Sequence, residues 1–332
     1  MKITTKKKKL ITQKKSSSIK KKKPKILLLF SGGLDSRIAL KILQKQKAEI
    51  ELIHFILPFG GGCCNNFNCV FNYTQTQGVK LHVVDLTKIP RLHEYLEFVK
   101  NPKHGYGTSM NPCRDCKIFM FKQAKKLAEK INADVIATGE VLSQRPMSQL
   151  KHQLKLTEKQ AGFEILRPLS AKLLPETIYE KNKLIDRTKL LDIKGRNRTK
   201  QLELTKKYKI KYPSPGGGCL LCEKNYTPKL KDLLNHKPVE KIQPEEIQLL
   251  NIGRHFRNKG KIILGKNHQE NKQLEQLNKF LNYSISIPKK IPGPTAIYEN
   301  KQDKKIVEEL IQAYSNKPEL RKKFEKLKII SY

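Results

Sequence analysis

The apolar run Ile26-Leu27-Leu28-Leu29-Phe30 breaks directly into Ser31-Gly32-Gly33-Leu34-Asp35-Ser36, after which Ile38, Ala39, Leu40, Ile42 and Leu43 recur at helical spacing. An uninterrupted apolar run of that length suits a strand buried on both faces, so the junction reads as strand, glycine turn and amphipathic helix. A helix that starts this way presents backbone N–H groups with no partner inside the helix, which makes its first turn a cradle for phosphate. Gly32 and Gly33 allow the backbone to approach an anion with no Cβ in the way. The hydroxyls of Ser31 and Ser36 can add hydrogen bonds, and Asp35 can cap the helix or hold a magnesium ion.

The same alternation continues downstream. Candidate strands are Ile26–Phe30, Glu49–Ile56, Lys80–Val84, Asp134–Thr138 and Phe163–Leu166, with a helix over Ile118–Lys130. Strands separated by helical stretches predict an α/β fold, a doubly wound parallel sheet with right-handed crossovers and helices on both faces. Ligands of such sheets bind beyond the carboxyl ends of the strands. Ser31, the loop Gly60-Gly61-Gly62-Cys63-Cys64, Thr138-Gly139-Glu140 and Arg167 all follow strands, so they should share one edge. Turn formers at Tyr212-Pro213-Ser214-Pro215-Gly216-Gly217-Gly218 mark an active-site loop or a boundary. From there a smaller α/β module is expected, with a strand at Lys261–Leu264 and a final helix near Lys304–Tyr314. The expected division is a disordered Lys-rich tail over 1–24, a nucleotide-binding unit over 25–225 and a small unit over 226–332, for which the resemblance given below implies RNA binding.

Lys and Arg number 68 against 30 Asp and Glu, a formal charge of +38. That excess runs along the whole chain, which makes a polyanion the natural partner and argues against a purely small-molecule enzyme. No apolar run reaches membrane-spanning length, so no membrane is expected. Residues 1–24 contain no acidic residue and little to bury; they suit an RNA-gripping arm more than an Arg-rich, amphipathic presequence, and a cytoplasmic location is expected.

Seven cysteines without a signal peptide, four of them in two C-x-x-C pairs, point to thiolate or metal chemistry in a reducing compartment. Cys113-Arg114-Asp115-Cys116 opens a helix, whose N-terminus should favour thiolates together with Arg114 and Lys117. Cys219-Leu220-Leu221-Cys222 follows the glycine run. Three readings stay open: a four-iron, four-sulfur cluster on Cys113, Cys116 and Cys219 (or Cys222), a closed zinc site using all four cysteines, and a metal-free persulfide pair. Cys63, Cys64 and Cys69 suit either a persulfide relay or partly buried structural roles.

Together Ser31–Ser36, Asn111–Lys117, Ala137–Glu140 with Gln144–Gln149, Leu166–Leu169 and Gly216–Cys219 resemble the PP-loop ATP pyrophosphatases, in particular the tRNA thiolation branch of 4-thiouridine synthetases and 2-thiouridylases. The likeness covers about residues 25–225, and Gly253–Thr295 looks similar to the RNA-binding module of NFACT proteins. What the resemblance implies is ATP-dependent adenylylation of a uracil or cytosine carbonyl oxygen in tRNA, its replacement by sulfur, and release of AMP and pyrophosphate. It implies an ATP site of Ser31, Gly32, Gly33, Asp35, Ser36, Thr138, Gly139, Gln144 and Arg167, with Arg167 pairing to phosphate. The catalytic set it implies is Asp35, Cys113, Cys116 and Cys219, served by magnesium and by sulfide or a cysteine desulfurase-derived persulfide. His104 is a candidate contact for the target base, although an exposed loop histidine without a role is the plainer expectation. Where the synthetases carry a THUMP domain this chain shows a Lys-rich stretch, and no rhodanese domain is apparent. Two other functions fit parts of the pattern: a PP-loop amide- or nitrile-forming ligase with structural zinc, and a non-catalytic zinc-stabilised RNA-binding protein.

Overall fold

The architecture is that of a computed structural model describing residues 23–60, 67–146, 148–214, 218–288 and 292–329. Nearly all of the Lys-rich tail, Cys63, Cys64 and the glycines 216 and 217 lie outside the described residues. A parallel sheet is built from β1 (Lys25–Leu29), β2 (Glu49–Ile56), β3 (Lys80–Asp85) and β4 (Val135–Thr138), in the order β3-β2-β1-β4. Leu28 sits between Leu52 of β2 and Ala137 of β4 in register. Parallel neighbours need crossovers. These are α1 (Leu34–Leu43), α2 (Phe67–Thr76), and then α3 (Arg91–Lys100) with α4 (Cys113–Ile131). Because strand order runs one way from β1 to β3 and the other way to β4, the loop after β1 opens at the topological switch point.

Alternation along the strands divides the core in two. Ile26, Leu28, Leu52, Val135 and Ala137 face α1 through Ile38 and Ile42. Leu27, Ile53, Phe55 and Ile136 face Leu92, Tyr95, Leu96 and Val99 of α3 and Ala124 and Ala128 of α4. The sheet is thus wound on both sides, as its sequence pattern requires. It has four strands, not five: around Phe163–Leu166 only the isolated bridge Ala137↔Leu166 forms. Pro168 follows at once and supplies no N–H to continue a ladder.

Beyond β4 come α5 (Lys151–Ala161), α6 (Ile178–Lys181), α7 (Thr199–Lys207), α8 (Thr227–His236) and α9 (Pro244–Leu249). Leu230, Leu233 and Leu234 of α8 and Ile247 of α9 join the same apolar cluster as β2 and α3. An antiparallel sheet, β5-β6-β8-β7, follows from β5 (Arg254–Arg257), β6 (Lys261–Leu264), β7 (Ser284–Ser286) and β8 (Ala296–Tyr298). Its faces are covered by α10 (His268–Leu281), through Leu274, and α11 (Lys304–Ser315), through Val307 and Leu310. Among the described residues no helix is long and apolar enough to cross a membrane.

Candidate active site

The loop after β1 turns through Gly32 at a φ of +79°, and a Cβ there would stand 2.6 Å from Val70 Cγ2 on α2. Helix α1 starts with Gly33 as its N-cap and no side-chain cap, so its first-turn amides remain open to an anion. Ser31 is exposed, whereas Ser36 is buried and its hydroxyl donates to Gly33 O at 2.9 Å. At the end of β4, a Cβ on Gly139 would come within 2.8 Å of both Ser36 N and Ser36 Cα. That backbone contact seats Thr138 and Gly139 directly against the loop.

Asp35 does not cap α1. Burial pushes its carboxyl above the usual range, against the opposing pull of Gln144, Arg198, Gln201 and Arg145. Gln201, fully buried on α7, donates from Nε2 to Asp35 Oδ1 at 3.4 Å. Sequence reasoning missed Gln201 and Arg198, and it also missed Arg37. Buried Arg37 donates to Gly32 O (2.7 Å), Lys211 O (2.7 Å) and Cys69 Sγ (3.3 Å) and lies 3.9 Å from the Tyr73 ring centroid. It ties the phosphate loop to the segment leading into the glycine run. The available signal was an arginine on an otherwise apolar helix face.

The two C-x-x-C pairs, about a hundred residues apart in sequence, come together. Cys219 forms an antiparallel bridge with Gly60, Leu220 N donates to Phe59 O (2.9 Å), and Met110 N donates to Leu221 O (3.1 Å). The second pair is therefore laid between the loop after β2 and the start of α4. Asn111 Nδ2 donates to Cys222 Sγ at 2.9 Å, and Tyr95 Oη is 3.1 Å from Cys116 Sγ. Beneath the thiols lies an aromatic floor in which Phe59 contacts Tyr95 and Tyr226, with centroids 6.0 and 5.9 Å apart.

Cys113, Cys116, Cys219 and Cys222 are close enough for each to act electrostatically on at least one of the others. Among the described residues, however, no group of three His, Cys, Asp or Glu is arranged to hold a single metal ion. The expected thiolate bias is reversed. Burial raises Cys113 above its ordinary value despite Lys117, pushes Cys116 up to about 11 and pushes Cys219 up to about 12. The donor chemistry, four neighbouring thiols with hydrogen bonds to two of the sulfurs, is that of a soft, sulfur-ligated centre.

Arg167 is buried, but its guanidinium is engaged by carboxylates. Nε donates to Glu140 Oε2 at 3.1 Å, Nη1 pairs with Glu158, and only Nη2 lacks a partner. Glu140 also pairs with Lys117 from the cysteine helix. Burial opposes the Glu140 charge, yet Lys117 and Arg167 outweigh it and hold the carboxyl below its usual range. His104 is half-buried, not an idle exposed loop residue: its ring Nδ1 lies 3.0 Å from Asp115 Oδ1, within the first cysteine motif. Gln144 approaches Asp35, and its Nε2 is buried without a hydrogen bond.

The family described as thiamine biosynthesis protein (ThiI) matches residues 22–192, from the approach to β1 through the segment after α6. Three curated relatives are each named "Probable tRNA sulfurtransferase". That of Acholeplasma laidlawii is 28% identical over 171 residues, covering 49% of this chain and 37% of the relative. That of Sulfurisphaera tokodaii is 30% identical over 150 residues (42% and 36%), and that of Brevibacillus brevis 33% over 147 (43% and 34%). The chain spans about a third of the length of these relatives. Among solved structures, a 4-thiouridine synthetase–RNA complex with bound ATP aligns with 77% of this chain and 53% of that one, at 20% identity and a TM-score of 0.39. The family match takes in the phosphate loop, the first cysteine pair and the Glu140–Arg167 network, and over more than half its length the chain belongs to the thiamine biosynthesis protein (ThiI) family.

Proposed function

We propose that the protein is an ATP-dependent tRNA sulfurtransferase. The observation that carries this reading is the position of Arg145, within electrostatic reach of both Asp35 in the phosphate loop and Cys113 in the thiol set. One site can therefore serve both activation by ATP and delivery of sulfur. Support for the substrate comes from the +38 charge and from relatives named tRNA sulfurtransferases.

A uracil carbonyl oxygen is a poor leaving group. In the first step it attacks the α-phosphate of ATP, forming the O–P bond as pyrophosphate departs. The open amides of α1 and the hydroxyl of Ser31 stabilise the negative charge that builds on the leaving group. Asp35 is the loop carboxylate that would hold magnesium, while Thr138, Gly139 and Gln144 border the nucleotide. Arg167 acts chiefly by fixing Glu140, with Nη2 left to face an anion. In the second step a sulfur nucleophile attacks the activated carbon, forming C–S as C–O breaks and AMP leaves. Cys113, Cys116 and Cys219 would hold a four-iron, four-sulfur cluster, whose chemistry is to present sulfide. The C-terminal sheet module and basic tail hold the RNA, and the thiols require a reducing compartment, the cytoplasm.

Anaerobic purification with iron, zinc and acid-labile sulfide analysis tests the centre, and pyrophosphate release tests the loop. Asp35→Ala should lose pyrophosphate release, whereas Cys113→Ala should retain it and lose sulfur transfer. Stoichiometric zinc without labile sulfide would transfer support to an amide- or nitrile-forming ligase.

A further inference from the structure

The Tyr226 hydroxyl is anomalous. Tyr226 is 4% exposed, its ring packs edge-on against Phe59, and its Oη has no hydrogen-bond partner. A phenol in a protein core normally finds an acceptor, because leaving it unmade costs more than the bond contributes. Phenylalanine would fill the same space without that penalty. The other buried phenol on the aromatic floor, Tyr95, has solved the problem by meeting Cys116 Sγ at 3.1 Å. Tyr226 stands in the corresponding place toward the second pair: Cys219 packs against the same cluster, and its thiol is near enough to act electrostatically on the Tyr226 hydroxyl. The thiol itself makes no hydrogen bond with it. An additional sulfur atom carried at Cys219 would bring a further acceptor into the cluster that holds this hydroxyl.

We propose that Tyr226 is a positioning residue for the transferable sulfur, its hydroxyl donating a hydrogen bond to an electron-rich sulfur carried at Cys219. That sulfur is the terminal atom of a persulfide or a sulfide of a cluster; both are acceptors of the same kind. Tyr95 and Asn111 hold the protein's own sulfurs at Cys116 and Cys222, and Tyr226 is reserved for the one that comes and goes. This inference rests on the sulfur-transfer reading of the site.

The test uses the full chain and its Tyr226→Phe variant in two arms. In one, metal-free protein is loaded with inorganic polysulfide and loss of sulfane sulfur is followed by cyanolysis. In the other, ferrous iron and sulfide are added anaerobically and the reduction potential and visible spectrum are recorded. In the arm matching the true carrier, Tyr226→Phe should release sulfur about tenfold to a hundredfold faster, or shift the potential, as expected for losing a hydrogen bond to a charged acceptor. The unloaded variant should melt at a higher temperature than wild type, because an unpaired hydroxyl has left the core. Tyr95→Phe should melt lower. Wild-type behaviour of Tyr226→Phe in both arms would overturn the proposal alone. If wild type retains no sulfur in either arm and matches Cys219→Ser, both the proposal and the sulfur-transfer reading fall. A lower melting temperature for unloaded Tyr226→Phe would show the hydroxyl to be structural and would also overturn it.

Discussion

The antiparallel sheet and the carboxyl edge of the parallel sheet treat buried polarity in opposite ways. In the antiparallel sheet it is closed but for His255 Nδ1 on β5. Arg257 clasps Asp232 through Nε and Nη2 at 2.6 and 2.7 Å, and Asp303 accepts from Gly260 N (2.9 Å) and Asn258 Nδ2 (2.7 Å). Tyr283 Oη donates to Glu246 at 2.6 Å. At the parallel edge, Gln144 Nε2, Arg167 Nη2, Gln201 Oε1 and Tyr226 Oη are all buried without partners. Eight of the nine such atoms among the described residues belong to residues 54–226, and the ninth is His255 Nδ1. Each unmade bond costs about 1–3 kcal/mol. The four groups beside the phosphate loop and the thiols are ones a bound substrate can satisfy, whereas the ion pairs and hydrogen bonds of the second sheet are satisfied within the protein.

The largest effect should come from the ion-pair network at the active edge. Glu140→Gln leaves Lys117 without a carboxylate and Arg167 with Glu158 alone, and should destabilise the protein by about 3–5 kcal/mol in urea unfolding. Because Glu140 titrates below its usual range, its stabilisation is present at neutral pH and is lost as the pH falls through that depressed value.

Asp35→Asn should separate function from stability. Pyrophosphate release should fall by about 100-fold or more, as when a charge-stabilising group is removed. The variant should nevertheless melt higher at pH 7. A carboxyl raised by burial stabilises the folded state fully below its unfolded value near 3.8, and that contribution is lost as pH rises through the folded one. Below pH 3.8 the difference in melting temperature should vanish. A variant less stable at pH 7 would place Asp35 among the closed groups and break the contrast.

The smallest effect belongs to the second sheet. Burial lowers Lys261 to about 8 despite Asp232 and Glu299. The unfolded chain therefore binds more protons between about 8 and 10.5, and stability from this group should rise with pH across that window. Lys261→Met should flatten the rise and leave pyrophosphate release at the wild-type rate.

Much of this arrangement was legible in the sequence where its cause is local. The four parallel strands fall within a residue or two of their apolar runs, because a strand buried on both faces leaves an uninterrupted apolar signature. The phosphate loop is legible because glycines and the helix start are contiguous. Phe163–Leu166 misled because its apolar content resembled a strand while Pro168 denied it a ladder. What escaped was long-range. Nothing local pairs Gly60 with Cys219, joins Lys117 to Glu140 and Arg167, or brings Gln201 to Asp35. The thiol ionisation was misjudged for the same reason, since burial by α3, α8 and the aromatic floor outweighs neighbouring Arg114 and Lys117.

The most direct measurement is nucleoside mass spectrometry of unmodified tRNA incubated anaerobically with the purified full chain, ATP, magnesium and sulfide, with AMP and pyrophosphate counted in parallel. The expected result is one thiolated pyrimidine per AMP and pyrophosphate released, lost in Cys113→Ala while pyrophosphate release continues. AMP and pyrophosphate formed with no thionucleoside, and unaffected by the cysteine substitution, would contradict it.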